Sequence, residues 1–163
     1  MGYNKSINRF IGGKRAQKNG RNFEDMIKEQ CKLNQIKCLQ SFVPTILSRG
    51  KLIYKAKGGP DFTILYKGKA IFFDAKSFDS DRITYSQLHQ HQINELNDIS
   101  NSGFKSGYLV WMREISKICW IDISKLVSLE SGKSIKSGDL LCIGQSVSPM
   151  LEPSMDFFKL FEG

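Results

Sequence analysis

The chain has 163 residues, of which 40% are hydrophobic, and 24 basic against 16 acidic residues give it a formal net charge of +8 at pH 7. This length suits one folded domain that buries its own core without metals or disulfides, and the charge favours a polyanionic partner, with nucleic acid the first candidate. Because the four cysteines have no CxxC or zinc spacing and no apolar run resembles a membrane span or signal peptide, we expect a cytoplasmic protein without membrane contact.

The first 22 residues carry six basic residues and no acidic one, together with several glycines and asparagines. This composition predicts a flexible arm over residues 1–22 that lies along phosphates, followed by a single folded domain over residues 23–163. A tail that only improves solubility is the alternative. The candidate phosphate-binding residues of the arm are Lys5, Arg9, Lys14, Arg15, Lys18 and Arg21.

A helix and a strand are predicted next. Asn22 can cap a helix whose apolar residues recur at helical spacing, namely Phe23, Met26, Ile27 and Cys31. Glu24 lies at the edge of this buried stripe, where its carboxylate either has a function or simply favours the positive end of the helix dipole. The loosely alternating residues 36–43 predict a first strand, which Pro44 ends.

The segment between residues 45 and 57 contains four basic residues and no acidic one. We interpret it as an extension of the first strand, whose cations hold the phosphates on either side of a reacting one. A solvated basic face is the alternative. The candidate phosphate-binding residues here are Arg49, Lys51, Lys55 and Lys57.

Two apolar runs rich in aromatic and β-branched residues, Phe62 to Tyr66 and Ala70 to Phe73, flank the dipeptide Lys67-Gly68. They predict a β-hairpin with a two-residue turn. The turn length fixes which residues face each other across the hairpin. The predicted pairs are Tyr66 with Lys69, Leu65 with Ala70 and, at the open end, Asp61 with Asp74.

The facing aspartates point to a bound cation. Directly opposed side chains have Cβ atoms about 4.5–5.5 Å apart, and like charges there destabilise a sheet. A cation between them reverses the sign of the interaction, and carboxylate oxygens are the ligands that Mg²⁺ or Mn²⁺ prefers. Strand alternation sends Ala75 to the other face and returns Lys76 to the side of Asp74, so we expect an ammonium group beside the acid pair.

The residues after Lys76 predict a loop and a long helix. Residues 77–82 read as a polar loop, and Thr84 with Gln87 forms a capping box that opens a helix to about Ser100. His89 lies near the apolar stripe of this helix and is predicted to be a hydrogen-bonded core residue. It is not expected to bind one metal together with His91, because residues two apart on a helix point in different directions.

The remaining sequence predicts strands over residues 107–112 and 117–123, a short helix capped by Ser124 and a strand over residues 140–143. The sequence Ser131–Ser134 resembles the end of a P-loop but lacks its leading glycine, so no nucleotide cofactor is expected. The apolar C-terminal residues either close the core or form a dimer contact. The order of the elements is that of an α/β protein with a mixed sheet.

The spacing Pro60-Asp61, twelve residues, Asp74-Ala75-Lys76 resembles the signature of the PD-(D/E)XK nucleases. The strand that ends with this signature and the helix that carries residues 88–93 look like those of RecU-type Holliday junction resolvases, and the resemblance covers roughly residues 20–125. It implies that residues 23–163 form a nuclease domain with a restriction-endonuclease-like core, a central mixed β-sheet flanked by helices. Surface acids on a hairpin of another α+β protein are the alternative.

The resemblance also implies a Mg²⁺-dependent endodeoxyribonuclease, with Mn²⁺ as a substitute ion, that resolves four-way DNA junctions by paired symmetrical nicks. A homodimer would match the two-fold symmetry of the junction. Asp61, Asp74 and the Ala75 carbonyl would bind the metal. Lys76 would stay protonated between carboxylates and stabilise charge at the reacting phosphate.

Two further roles carry over from the resembled nucleases. Glu24 would lie near the metal, and Gln87 would hold the attacking water or a phosphate, although the capping box explains Gln87 equally well. The resembled family has Glu more often than Asp at the position of Asp74, which leaves one metal or two open. Two other functions fit the same residues: a phage or mobile-element nickase that acts on flaps or forks, and a catalytically inert DNA-binding module of the same fold.

Overall fold

A computed structural model describes residues 22–41, 45–48, 51–54, 59–129, 133–146 and 153–162 of the chain. The described helices are α1 over residues 22–33, α2 (Gln90–Asn101), α3 (Ile123–Val127) and α4 (Phe158–Phe161). The described strands are β1 (Lys37–Gln40), β2 (Thr45–Ser48), β3 (Lys51–Tyr54), β4 (Phe62–Tyr66), β5 (Lys69–Phe78), β6 (Arg82–Thr84), β7 (Lys105–Met112), β8 (Lys117–Asp122), β9 (Ser134–Lys136), β10 (Leu141–Gln145) and β11 (Ser154–Met155). None of the helices in these ranges is long and apolar enough to cross a membrane.

Seven strands form one sheet in the order β1-β4-β5-β7-β8-β10-β11. The neighbours β5 and β7 are parallel, and the other neighbouring pairs are antiparallel. Helix α2 lies in the crossover from β5 to β7, because parallel strands need a long connection. The predicted α/β class, with a mixed sheet flanked by helices, is therefore confirmed.

Apolar side chains cover both faces of this sheet. Helix α1 and the C-terminal residues contribute to one buried cluster, and α2 and α3 contribute to the other. The strands supply alternate residues to the two clusters, as Leu109 and Tyr108 of β7 illustrate. The predicted stripe of α1 is confirmed, since Phe23, Met26, Ile27 and Cys31 are all buried.

The hairpin formed by β4 and β5 has the predicted register. Lys67 and Gly68 form its two-residue turn with positive φ angles of 46° and 78°. Positive φ at both central residues is the type I′ combination, whose twist matches that of the flanking strands. Pairing continues without a slip from this turn to Phe62 opposite Phe73, so the two aspartates come next at the open end.

Two predicted elements near this hairpin had the wrong extent. The segment after residue 44 does not extend the first strand, because β2 and β3 pair with each other in a separate two-stranded sheet. Two short apolar runs separated by a glycine favour this reversal. The predicted loop after Lys76 is also wrong at its start, since β5 continues to Phe78 while β7 pairs alongside it.

The helix predicted to open at the capping box begins later than expected. The Gln87 side-chain oxygen accepts a hydrogen bond from the Thr84 backbone N–H at 2.8 Å, but this box opens only a 3-10 turn. The chain then becomes extended at Leu88, which buries that side chain in the core. Helix α2 starts at Gln90, so the predicted start is wrong although the local contact is present.

The predictions for the histidines and for the cap of α3 are also corrected. His89 is exposed rather than part of the core, because it lies in extended backbone ahead of α2. For the same reason the rings of His89 and His91 do not point apart but stack, with centroids 5.6 Å apart. The cap of α3 is Asp122, whose carboxylate accepts a hydrogen bond from the Ser124 backbone N–H at 3.0 Å.

The C-terminal residues close the core. Phe157, Leu160 and Phe161 are buried in the same cluster as α1. The ammonium groups of Lys69 and Lys105 donate to the carbonyls of Phe161 and Leu160 at 2.8 and 2.6 Å. They satisfy acceptors that the end of a helix leaves without intrahelical partners. Of the two alternatives left open by the sequence, the structure supports core closure.

Gly107 leaves no room for a side chain. It lies in β7 opposite β8, where an added Cβ would overlap the Ile121 carbonyl oxygen and lie 2.9 Å from the Trp120 ring. We expect Gly107→Ala to lower the free energy of unfolding by about 1–3 kcal/mol, as overpacking of a core does. Urea denaturation measures this change. Gly138→Ala is the control, since a Cβ there meets no atom within 4 Å, and equal stability of the two variants would contradict the prediction.

Candidate active site

The two aspartates at the open end of the hairpin are each bonded to backbone beside the other. The Asp61 backbone N–H donates to Asp74 Oδ1 at 2.7 Å, and the Ala75 backbone N–H donates to Asp61 Oδ2 at 3.2 Å. Each carboxylate is therefore held by a backbone N–H of the other aspartate or of the residue next to it. The juxtaposition that the hairpin register predicted is present.

Burial makes this acid pair unfavourable without a positive charge. Asp74 is only 2% exposed, and Asp61 is half-buried. Two carboxylates that share so little water repel each other, so the arrangement favours a cation. The side chains and the nearby backbone carbonyls offer oxygen ligands only, which suits Mg²⁺ or Mn²⁺. Nowhere in the described ranges do three or more His, Cys, Asp or Glu side chains converge on a metal site.

Lys76 supplies a positive charge next to the pair. Burial lowers the pKa of the Lys76 ammonium below its usual range, and the carboxylates of Asp74 and Glu24 oppose this effect. The prediction from the sequence rested on the carboxylates alone, whereas the loss of water around a half-buried lysine acts in the other direction and is larger. The extent to which the Lys76 side chain is buried decides this balance, and the sequence pattern does not show that extent.

Glu24 approaches the same lysine from α1. Its side chain accepts a hydrogen bond from Gln40 Nε2 at 2.7 Å, which ties α1 to β1. Its charge also acts on Lys76, as described above. The structure thus brings Glu24 into the surroundings of the acid pair, while its role near a metal stays a prediction.

The roles of the other predicted residues stay predictions. Gln87 is exposed, and its side-chain oxygen is used by the Thr84 backbone of the same turn, so its role on water or phosphate stays a prediction. Lys51 lies in β3, and the structure describes only its backbone. The remaining basic candidates lie outside the described residues: Lys5, Arg9, Lys14, Arg15, Lys18, Arg21, Arg49, Lys55 and Lys57.

Glu95 of α2 braces the loop that leads into the site, although it was not predicted from the sequence. Its Oε1 atom accepts a hydrogen bond from the Gly59 backbone N–H at 2.5 Å. Gly59 has a positive φ of 98°, a conformation that glycine adopts at little cost, and it lies two residues before Asp61. The only sequence signal was an acid that borders the apolar stripe of a helix.

Gln92 is a second residue of α2 that was not predicted to belong to the site. It is half-buried, and its side-chain oxygen is buried without a hydrogen-bond partner in the described part of the chain. The Ser106 hydroxyl donates to the Leu96 carbonyl at 2.6 Å, which fixes the level of α2 on β7. Four helical residues and two strand residues both span about 6 Å. From these spacings we expect Gln92 to lie near the level of Tyr108, the residue that pairs with Asp74.

This fold matches that of a solved Holliday junction resolvase. The structure of Hjc from the archaeal hyperthermophile Archaeoglobus fulgidus covers 76% of this chain and 96% of its own length, with a TM-score of 0.56 and 11% sequence identity. At this identity the likeness shows the fold alone. The mixed sheet with its flanking helices is thus the restriction-endonuclease-like core that the sequence predicted.

The family is shown by the sequence itself. The model of the family described as RecU, Recombination protein U, matches residues 46–162, and the chain belongs to this family of Holliday junction resolvases. No curated protein matches the chain at a significant level. The matched range includes Asp61, Asp74 and Lys76 but not Glu24. It begins later than the range of roughly 20–125 predicted for the resemblance and continues beyond it, over the C-terminal strands and α4.

Removing the Glu95 carboxylate should loosen the loop before Asp61. We expect Glu95→Ala to speed amide hydrogen exchange at Gly59 by roughly tenfold or more, because a hydrogen bond to a charged group contributes about 1.5–3 kcal/mol. Exchange followed by NMR measures this change. Asp98→Ala removes an exposed carboxylate from the same helix and should leave Gly59 unchanged. Unaltered protection in Glu95→Ala would show that the contact does not hold the loop.

Proposed function

We propose that this chain is a metal-dependent endodeoxyribonuclease that resolves Holliday junctions by paired symmetrical nicks. The observation that carries the proposal is the pair Asp61 and Asp74, locked by reciprocal backbone hydrogen bonds beside Lys76 in a chain of the RecU family. Phosphodiester hydrolysis needs a cation site against the scissile phosphate and fixed positive charge next to it. The acid pair and the lysine fit both requirements.

Mg²⁺ is the ion that we assign to the acid pair, with Mn²⁺ as a substitute. Asp61, Asp74 and the Ala75 carbonyl would bind it, a set of oxygen ligands that fits either ion. When bound, the ion lowers the pKa of a coordinated water and neutralises charge on the phosphate oxygens. The chain itself fixes the positions of the two carboxylates before any ion arrives, so little reorganisation is needed.

Lys76 stabilises the negative charge that develops on the phosphate. Burial lowers the pKa of the Lys76 ammonium, and the carboxylates of Asp74 and Glu24 oppose that shift. The same burial makes the charge of the protonated form more effective, because little water screens it. Glu24, held by Gln40, keeps the ammonium from turning away from the phosphate. We therefore assign an electrostatic role to Lys76 and a positioning role to Glu24.

Gln92, rather than Gln87, is the glutamine that we assign to the attacking water or to a phosphate oxygen. The oxygen of Gln87 already accepts a hydrogen bond within its own turn. The oxygen of Gln92 is buried, is expected near the level of the acid pair and has no partner in the described ranges. An amide offers an acceptor for the water and a donor for the phosphate from one side chain.

The proposed substrate is branched DNA, with the four-way junction first. Two matched nicks in a two-fold symmetric junction require two active sites, so we propose a homodimer that acts in the cytoplasm. Phosphates away from the cut would contact the basic arm and the basic segment over residues 45–57. These contacts position the DNA but carry no base specificity.

Loss of the Asp74 charge should abolish cleavage. We expect Asp74→Asn, which keeps the shape of the side chain, to lower the rate of junction cleavage by at least roughly 10²-fold, the effect of losing one electrostatic group of a site. Labelled four-way, forked and linear duplexes would be incubated with Mg²⁺ and, separately, with a chelator. Asp98→Asn makes the same change at an exposed position and should cut normally.

The products of this assay decide between the possible functions. Paired nicks across the junction that vanish with chelator support the proposal. Cleavage of forks alone would instead indicate a flap or fork endonuclease. Binding without any cut strand would indicate an inert DNA-binding module, and cleavage that survives removal of metal would contradict the proposed chemistry.

Deleting residues 1–20 should weaken DNA binding in a way that depends on salt. The deletion removes five basic residues and no acidic one, and each phosphate that the protein no longer neutralises makes the negative slope of log K against log salt shallower by about 0.9. We therefore expect the slope to become less negative by at most about 4.5. Fluorescence anisotropy of labelled junctions between low and moderate salt measures it. An unchanged slope would mean that the arm does not bind phosphates.

A further inference from the structure

We propose that Tyr108 is a positioning residue for Asp74, and that its buried hydroxyl becomes a hydrogen-bond donor to that carboxylate when a divalent metal is bound. The inference rests on the metal-dependent function proposed above. It assigns a role to a side chain that neither the sequence pattern nor the family signature singles out.

Tyr108 and Asp74 are directly paired on the adjacent parallel strands β7 and β5. Paired residues point to the same face of a sheet, and neighbouring strands lie about 4.8 Å apart. Both side chains are withdrawn from water, since Tyr108 is 0% and Asp74 2% exposed. The phenol and the carboxylate therefore share one buried space between the sheet and α2.

The Tyr108 hydroxyl has no hydrogen-bond partner within the described ranges. A buried hydroxyl without a partner is unfavourable, and a phenylalanine of the same shape would fill the space without that cost. Such a group calls for a specific explanation. A partner that forms in the metal-bound state supplies one, because catalytic hydrogen bonds are often long in the free enzyme and shorten on binding.

Asp74 is a nearby acceptor that can become this partner. A tyrosine hydroxyl keeps its proton at neutral pH and can therefore donate to a carboxylate. The Asp61 backbone N–H already holds Asp74 Oδ1 from the side of β4, whereas Tyr108 approaches from the side of β7. Carboxylates that bind metals are commonly held by such outer hydrogen bonds, which orient them and raise metal affinity.

Tyr108→Phe tests the inference because it removes only the hydroxyl. Thermal unfolding without metal should occur at the wild-type temperature or above it, since an unpaired polar group is removed. We expect the dissociation constant for Mn²⁺, measured by calorimetry, to rise about tenfold or more, and Mn²⁺ to raise the melting temperature less than in the wild type. Junction cleavage at subsaturating Mn²⁺ should slow by a similar factor, with an unchanged KM for DNA.

Tyr66→Phe is the matched control. It removes the same atom at the turn end of the hairpin, where the Tyr66 ring packs against Phe158 and Phe161, and it should bind Mn²⁺ like the wild type.

Wild-type affinity for Mn²⁺ in Tyr108→Phe, or an equal loss in Tyr66→Phe, would overturn the inference. A lower melting temperature without metal, combined with normal Mn²⁺ affinity, would show a purely structural tyrosine and would overturn it as well. A wild-type protein that neither binds Mn²⁺ nor cuts DNA would refute the proposed function itself, which is a different result from a Tyr108→Phe variant that binds Mn²⁺ normally.

Discussion

Two carboxylates that accept hydrogen bonds from backbone next to each other are the constraint on which this structure depends. Like charges side by side across a hairpin destabilise a sheet, and here the type I′ turn and the unbroken register bring Asp61 and Asp74 together at the open end. The repulsion is offset in the protein by two backbone N–H donors and by the ammonium of Lys76. A divalent ion would complete this neutralisation.

The acid pair lies at the start of β4, where the pairing of β4 with β5 stops and β5 continues. From Ile71 to Phe73 the strand β5 has partners on both sides, and beyond Phe73 the parallel neighbour β7 alone pairs with it, as far as Phe78. On the side of β5 where β4 no longer pairs, the Ala75 N–H donates to the Asp61 carboxylate instead of to a neighbouring strand. Strand pairing is thus replaced by a hydrogen bond to a side chain directly after Asp74. Glu95 of α2 holds the loop that contains Gly59, which leads to Asp61.

How far the sequence predicts this structure depends on the range of the interactions. The hairpin register and the stripe of α1 follow from local rules, turn chemistry and periodicity, and both are present in the structure. The start of α2 does not follow, because the capping box at Gln87 is locally satisfied while burial of Leu88 extends the chain beyond it. Glu95 and Gln92 were not predicted for a related reason. Their positions relative to the acid pair depend on how α2 packs on β7, which is a long-range contact.

The unpaired buried polar atoms of the described ranges are concentrated around this site. Five of the six lie on β5, β7, the turn that follows β7, or the first turn of α2: Ser77 Oγ, Gln92 Oε1, Tyr108 OH, Trp111 Nε1 and Arg113 Nη1. Sequences that specify one fold normally satisfy such groups, and exceptions gather at functional sites. The same part of the sheet therefore combines an acid pair, a half-buried lysine and unpaired polar groups. All of these lower the stability of the fold, and they lie where a metal and a phosphate would bind.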